Sequence, residues 1–175
     1  MKCLALITLV VIGWCAPAIA QEQKNHEQIN VYSGGIDIFK DAEDGTNNTV
    51  DALVGVEYRS NYIVGGLRAN LGAFVTDQGA QYYYTGIGYD VFFDDAHAWV
   101  FTPNFNVGAY RQENGKDLGG TLEFKSSLEL AYQWPGQQRL GIAFQHISNG
   151  EHYDINPGTE LLTVQFAFPI HVLSH

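Results

Sequence analysis

The chain has 175 residues, with 19 acidic and 9 basic side chains and a formal net charge of −10. This acidic balance argues against nucleic acid as a partner, because binding to phosphate backbones needs a basic surface. Aromatic residues are abundant, with 10 Tyr, 10 Phe and 3 Trp, and there are 19 glycines.

The first twenty residues predict a signal peptide. Lys2 provides the charged start, Leu4 to Ile12 form a short apolar run, and Ala18-Ile19-Ala20 is a small-x-small cleavage site. The apolar run is too short to cross a bilayer as a helix. We therefore expect residues 1–20 to be removed and residues 21–175 to form a single β-barrel domain, which is long enough for one domain.

Both cysteines, Cys3 and Cys15, lie in the predicted signal peptide. The mature chain would then contain no disulfide and no cysteine-based metal site, although small exported domains often depend on disulfides. Histidines other than His146 are dispersed and show no metal-ligand spacing. We expect neither a metal nor another cofactor.

After residue 20 the sequence contains eight segments of alternating polarity, separated by turn-forming residues. Most have nearly the length of a tilted membrane-spanning strand, and none is a continuous apolar stretch long enough for a membrane-spanning helix. Aromatic and glycine-rich segments of this kind are typical of outer-membrane barrels. The predicted segments are 28–39, 49–59, 62–75, 80–93, 97–110, 118–134, 138–148 and 160–170.

The first segment alternates less cleanly than the others. Ile29 and Val31 have odd parity, whereas Ile36 and Ile38 have even parity. The intervening Ser33-Gly34-Gly35 step predicts a β-bulge, which would change the side of the sheet on which residues lie.

The sixth segment shows the alternation that decides the fold class. A soluble sandwich would turn the apolar face inward, whereas a barrel in lipid turns it outward and places polar side chains in the lumen. Export, the absence of cysteine and polar faces of mixed charge favour the barrel. Aromatic residues near the strand ends are also expected to form interfacial girdles, at Tyr82-Tyr83-Tyr84, Phe92-Phe93 and Trp134. The apolar face of this segment comprises Leu122, Phe124, Leu128, Leu130, Tyr132 and Trp134, and the polar face comprises Glu123, Lys125, Ser127, Glu129 and Gln133.

These patterns predict an all-β fold, an eight-stranded antiparallel transmembrane barrel of the bacterial outer membrane. Side chains fill the interior of a barrel of this size, which argues against transport. If the N-terminus is periplasmic, short turns near 60–61, 94–96 and 135–137 are periplasmic. The longer connections near 40–48, 76–79, 111–117 and 149–159 are then extracellular.

Three polar residues break the rule that outward side chains are apolar. His146 and Ser148 share the parity of Leu140, Ile142 and Phe144, and Glu160 has the parity of Leu162 and Val164. The last two segments are antiparallel neighbours, so these three residues should meet near the extracellular loop. A serine needs a base to become a nucleophile, and an acidic residue orients the histidine that serves as the base.

The run Phe144-Gln145-His146-Ile147-Ser148-Asn149-Gly150, followed by Asn156-Pro157-Gly158-Thr159-Glu160, resembles the lipid A 3-O-deacylase family of outer-membrane enzymes (PagL). The family motif is His-x-Ser-Asn, then an asparagine in a short loop and a glutamate fourteen residues after the histidine. The resemblance implies that Ser148 is the nucleophile, His146 the base and Glu160 the orienting acid. It also implies an active site in the outer leaflet and release of a 3-hydroxy fatty acid from lipid A.

Further expectations concern the surroundings of these three residues. The backbone N–H groups of Asn149 and Gly150 are candidate oxyanion donors, and Asn156 is expected to order the loop. Glu151, His152 and Asp154 crowd the same loop. A groove for the acyl chain is expected to be lined by Phe124, Phe144, Leu162 and Val164.

The expected partners are lipopolysaccharide, as the lipid A substrate, and the surrounding outer-membrane lipids. The sequence leaves a homodimer open. Two other functions also remain open at this point: a non-catalytic barrel that serves adhesion or envelope integrity, and a phospholipase that uses the same triad.

Overall fold

A computed structural model describes residues 27–38 and 50–170. The predicted signal peptide and parts of the predicted first and second segments lie outside these residues. Within them, no helix has the length and apolar character needed to cross a membrane. The strands are β1 (Gln28–Ile36), β2 (Asp51–Arg59), β3 (Leu67–Thr76), β4 (Gln81–Tyr89), β5 (Val91–Phe92), β6 (Trp99–Arg111), β7 (Leu122–Gln133), β8 (Arg139–Ser148) and β9 (Thr159–Pro169).

The sheet closes on itself as an eight-stranded antiparallel barrel. Neighbouring spanning strands pair in chain order, and the β1–β9 pairing joins the first and last strands. The short β5 continues β4, since Gly88 faces Asn104 and Val91 faces Phe101 in one unbroken register on β6. Between them, Asp90 leaves the ladder near Pro103, which has no N–H to donate. The predicted fold class is confirmed.

The inverted arrangement of polarity is also present. Outward apolar side chains such as Leu71, Ile142 and Val54 are more than half exposed. Inward charged side chains such as Glu129 and Arg59 are almost completely buried. An apolar outer wall with a polar interior is the pattern expected of a barrel surrounded by lipid.

Six of the buried charged side chains in the lumen form two paired groups. Arg59 Nε lies 2.7 Å from Glu57 Oε1, and its Nη2 lies 2.6 Å from Glu129 Oε2. Nearer the periplasmic end, Asp90 Oδ2 accepts from Arg68 Nη2 at 2.7 Å and from Arg139 Nη2 at 2.8 Å. Each group compensates charges that would otherwise be costly to remove from water.

The extracellular end of the lumen is apolar and aromatic instead. Ile36 is 3% exposed and belongs to this inward cluster. The β1 register runs without interruption from Gln28 to Ile36 against both β2 and β9, so the predicted bulge is wrong. The apparent change of parity arises because this end of the lumen takes apolar residues.

The aromatic run at residues 82–84 lies only partly on the outer surface. Tyr83 is 53% exposed, whereas Tyr82 and Tyr84 are buried in the lumen. The Tyr84 ring lies across Gly72 on the neighbouring strand, where an added Cβ would come within 2.5 Å of the ring. The expectation that all three tyrosines form a membrane girdle is therefore wrong for Tyr82 and Tyr84.

Candidate active site

The register of β7, β8 and β9 aligns Ser126, His146 and Glu160 in one transverse row on the outer wall, here called the polar row. His146 lies opposite Ser126 on β7 and opposite Glu160 on β9. Ser148 is two residues further along β8, opposite Phe124. The row therefore lies near the ends of the strands that the 149–158 loop connects.

His146 and Glu160 are in direct contact. His146 Nδ1 lies 3.2 Å from Glu160 Oε1, and the two side chains are 44% and 26% exposed. When the Nδ1–H group donates a hydrogen bond to the carboxylate, Nε2 of the neutral ring carries a free lone pair. The contact between β8 and β9 thus orients the imidazole and leaves Nε2 able to accept a proton.

The Nε2 edge of His146 is packed against Gly158, the residue before β9. A Cβ placed on Gly158 would lie 3.0 Å from His146 Cε1 and 3.6 Å from Nε2. Gly158 also has a φ of +62°, a conformation that disfavours other residues. A glycine is therefore required for this close approach to the ring.

Ser148 is partly exposed on the same face as His146, about 7 Å further along the strand. Among the described residues, no hydrogen bond joins Ser148 Oγ to His146. Catalytic hydrogen bonds are often loose before substrate binds. The structure thus brings together His146 and Glu160 and places Ser148 on their face without direct contact.

Asn149 is turned away from this face into the barrel. Its side-chain Nδ2 donates to Leu118 O at 2.8 Å and to Ile155 O at 2.7 Å, and its backbone N–H donates to Asn156 Oδ1 at 3.0 Å. The expected role of Asn149 as an oxyanion donor does not fit this arrangement. Asn149 and Asn156 instead hold the 149–158 loop in place.

Gly150 remains available at the outer edge of the site. It is exposed and has a φ of +63°, and an added Cβ would contact the Phe124 ring at 3.6 Å. Within residues 27–38 and 50–170, its N–H has no protein acceptor. The neighbouring Glu151, His152 and Asp154 are exposed to solvent.

The 112–121 loop supports the loop that carries Asn149 and Gly150. Tyr153 Oη accepts from Leu122 N at 3.1 Å. The Tyr153 ring lies so close to Gly120 that an added Cβ there would come within 2.0 Å of it. The position of the site therefore depends on a neighbouring loop that contributes no residue to the polar row.

A cavity of about 560 Å³ opens on the outer wall and ends at His146. Most of its lining lies on four neighbouring strands, β4, β6, β7 and β8, between two transverse rows of outward residues, and Leu67 of β3 completes the far end. Of the four residues expected to form the groove, only Phe144 lines this cavity. The main apolar contributors are Ile87, Tyr89, Phe105, Leu128 and Phe144.

The groove extends toward β4 because the small side chain of Ser126 leaves room beside His146. Leu162 and Val164, which were expected to line it, lie on β9, on the other side of His146. Ser126 is not among the predicted site residues. Its even parity, shared with Leu122, Phe124 and Leu128, was the signal that could have identified it as a polar outward residue.

A family profile described as lipid A 3-O-deacylase (PagL) matches residues 23–169, which is most of the chain. The chain belongs to this family. Membership places it among lipid A deacylases, a class of hydrolases, and the chain is an outer-membrane protein. A comparison with curated protein sequences gives no match.

Solved structures agree with the family in fold. The crystal structure of the outer membrane enzyme PagL has 16% sequence identity and a TM-score of 0.58, covering 82% of this chain and 99% of that one. Neisserial surface protein A has 12% identity and a TM-score of 0.53, covering 82% and 96%. At such low identity, these similarities concern the barrel and not the chemistry.

Proposed function

We propose that the chain is a serine esterase that hydrolyses the 3-O-linked 3-hydroxyacyl chain of lipid A in the outer leaflet. Ser148 is the nucleophile, His146 the general base and Glu160 the acid that orients it. The observation that carries this proposal is the His146–Glu160 contact on the outer wall, at the end of an apolar groove. Family membership supports lipid A as the substrate.

The reaction begins when Ser148 Oγ transfers its proton to His146 Nε2 and attacks the ester carbonyl carbon. The tetrahedral intermediate collapses, and the bond to the sugar oxygen breaks. The imidazolium returns its proton to that oxygen, which leaves an acyl-enzyme on Ser148. A water molecule, deprotonated by His146, then releases the 3-hydroxy fatty acid and restores Ser148.

The first proton transfer requires Ser148 Oγ to come within hydrogen-bond reach of Nε2 when the substrate binds. Glu160 accepts the hydrogen bond from Nδ1–H throughout and stabilises the imidazolium that forms in each half of the reaction. The N–H of Gly150 is the proposed oxyanion donor, because it has no acceptor among the described residues and lies two residues after Ser148 in the chain. Asn149 and Asn156 act indirectly by fixing the backbone that presents Gly150.

The groove provides a place for the acyl chain. Its lining is almost entirely apolar, and it spans about 14 Å if the strands are about 4.8 Å apart. Polar side chains on a lipid-facing wall cost free energy. A polar row at the end of such a groove is consistent with an ester held where lipid headgroups meet acyl chains.

Mass spectrometry of lipid A from cells that produce the protein tests this proposal. We expect loss of one hydroxyacyl chain with the unaltered protein, no loss with Ser148→Ala, and a rate lower by on the order of 10⁴-fold with Glu160→Gln. Ser33→Ala, which removes an exposed serine on β1, is the matched control and should retain activity. An identical lipid A profile with the unaltered protein and with Ser148→Ala would contradict the proposal.

The same cells distinguish the other two functions. Release of labelled fatty acid from phospholipid, lost with Ser148→Ala while lipid A is unchanged, would identify a phospholipase. Unchanged lipid A and unchanged phospholipid would leave a non-catalytic barrel. Correct folding of each variant is checked by its heat-modifiable migration in gels, so that inactivity cannot be attributed to misfolding.

A further inference from the structure

Ser126 is the one residue among the outward residues of β7 whose side chain is neither aliphatic nor aromatic. It is exposed, and it lies directly opposite His146 on the neighbouring strand. Within the part of the chain that the structure describes, its hydroxyl makes no hydrogen bond to another protein group. The outward residues of β7 are Leu122, Phe124, Ser126, Leu128, Leu130 and Tyr132.

Ser126 also lines the groove that ends at His146. One wall of the groove is the transverse row Ile87, Phe105, Ser126 and His146, read from β4 through β6 and β7 to β8. Ser126 is therefore the first position that an acyl chain meets after it leaves the reacting centre. Beyond Ser126, this wall continues with the apolar side chains of Phe105 and Ile87.

We propose that the Ser126 hydroxyl recognises the 3-hydroxyl group of the acyl chain that is released, and so makes the enzyme selective for 3-hydroxyacyl esters. This inference rests on the proposed function and extends it to substrate specificity. Ser126 is a specificity-determining residue and takes no part in the bond-breaking steps.

The spacing of the strands supports this assignment. The ester carbonyl carbon must lie beside Ser148 and His146 on β8, and β7 is about 4.8 Å away across the sheet. The hydroxyl-bearing carbon of a 3-hydroxyacyl chain lies two carbons beyond the carbonyl. A chain that enters the groove from β8 therefore brings this hydroxyl close to Ser126, whereas its remaining carbons meet apolar side chains.

A hydroxyl group at this position in the groove also explains selectivity energetically. A 3-hydroxyl that enters an apolar groove loses its hydrogen bonds to water, and Ser126 can replace one of them as donor or acceptor. An acyl chain without this hydroxyl gains nothing from Ser126. The contribution expected from one such hydrogen bond corresponds to about a fivefold difference in kcat/KM.

The test uses the purified full-length barrel in detergent micelles and two synthetic esters of equal chain length, one with a 3-hydroxyl group and one without. We expect the unaltered protein to prefer the hydroxylated ester. Ser126→Ala should lower kcat/KM about fivefold for that ester and leave the other unchanged. Ser126→Thr keeps the hydroxyl and should retain the preference, and Ser33→Ala should behave like the unaltered protein.

The outcomes separate this inference from the function on which it rests. Hydrolysis of neither ester by the unaltered protein would overturn both. An unchanged preference in Ser126→Ala, or an equal loss of activity on both esters, would overturn the specificity role alone. The equal loss would mean that Ser126 positions His146 and does not contact the substrate hydroxyl.

Discussion

Replacement of Gly158 by alanine should disturb His146, the proposed general base, while the barrel stays folded. The added Cβ would lie 3.0 Å from His146 Cε1, which is closer than carbon atoms normally approach. The ring must then move by a few tenths of an ångström or lose its contact with Glu160. Since a displacement of about 1 Å in an active site can cost about a hundredfold in rate, we expect a decrease in kcat of about tenfold.

The backbone contributes a separate effect on stability. Gly158 has a φ of +62°, and an L-residue in this conformation costs about 1–2 kcal/mol. Gly65 has a φ of +54°, and its nearest neighbour for an added Cβ is Tyr89 Oη at 3.5 Å, an ordinary contact. Gly65→Ala should therefore lower the free energy of unfolding by a similar amount and leave kcat unchanged.

The assay measures fatty acid release from lipid A by refolded protein in micelles, together with urea unfolding of the same samples. The reasoning requires both variants to lose similar stability and only Gly158→Ala to lose kcat, with little change in KM. If the two variants have the same kcat, the packing of Gly158 against His146 does not constrain catalysis, and the placement of Nε2 must be reconsidered.

Two further predictions concern the lumen and the loop. Arg59→Met leaves the buried carboxylates of Glu57 and Glu129 without their guanidinium partner, so urea unfolding should show a loss of about 3–5 kcal/mol. Arg111→Met, which removes an exposed ion pair, should change the free energy of unfolding by less than about 0.5 kcal/mol. Equal losses of stability in the two variants would argue against a stabilising role for the buried ion pairs of Arg59. Asn156→Ala removes the acceptor for Asn149 N–H, so amide exchange in the 149–158 loop should accelerate and kcat should fall. Asn156→Asp keeps an acceptor oxygen and should preserve both the slow amide exchange and kcat. Unchanged amide exchange in Asn156→Ala would contradict the role of Asn156 in ordering the loop.

Alternation of polarity was sufficient to predict most of the barrel, because each strand has one face in lipid and one in the lumen. It failed where the lumen itself is apolar. Ile36 and Tyr82 are inward residues of the extracellular cluster, and a rule that assigns apolar side chains to lipid places them wrongly. Parity alone was the better guide in both cases.

The candidate site was predicted unevenly for a similar reason. Parity and antiparallel pairing were enough to bring His146 to Glu160. The groove depends on which residues on β6 and β7 lie opposite His146, and this register is fixed by the closed barrel and not by the periodicity of one strand. Asn149 has the odd parity of Gln145 and Ile147, so the sequence already contained the evidence that its side chain points inward.

The polar row lies on the outside of a closed barrel, and this affects how the enzyme and its substrate meet. Under the proposed function, no entrance or tunnel has to be crossed, and the encounter is a lateral search in two dimensions within one leaflet. The quantity that governs turnover is then the mole fraction of substrate in that leaflet and not its bulk concentration. Dilution of lipid A with inert detergent at constant total substrate should slow such an enzyme, whereas dilution with water should not.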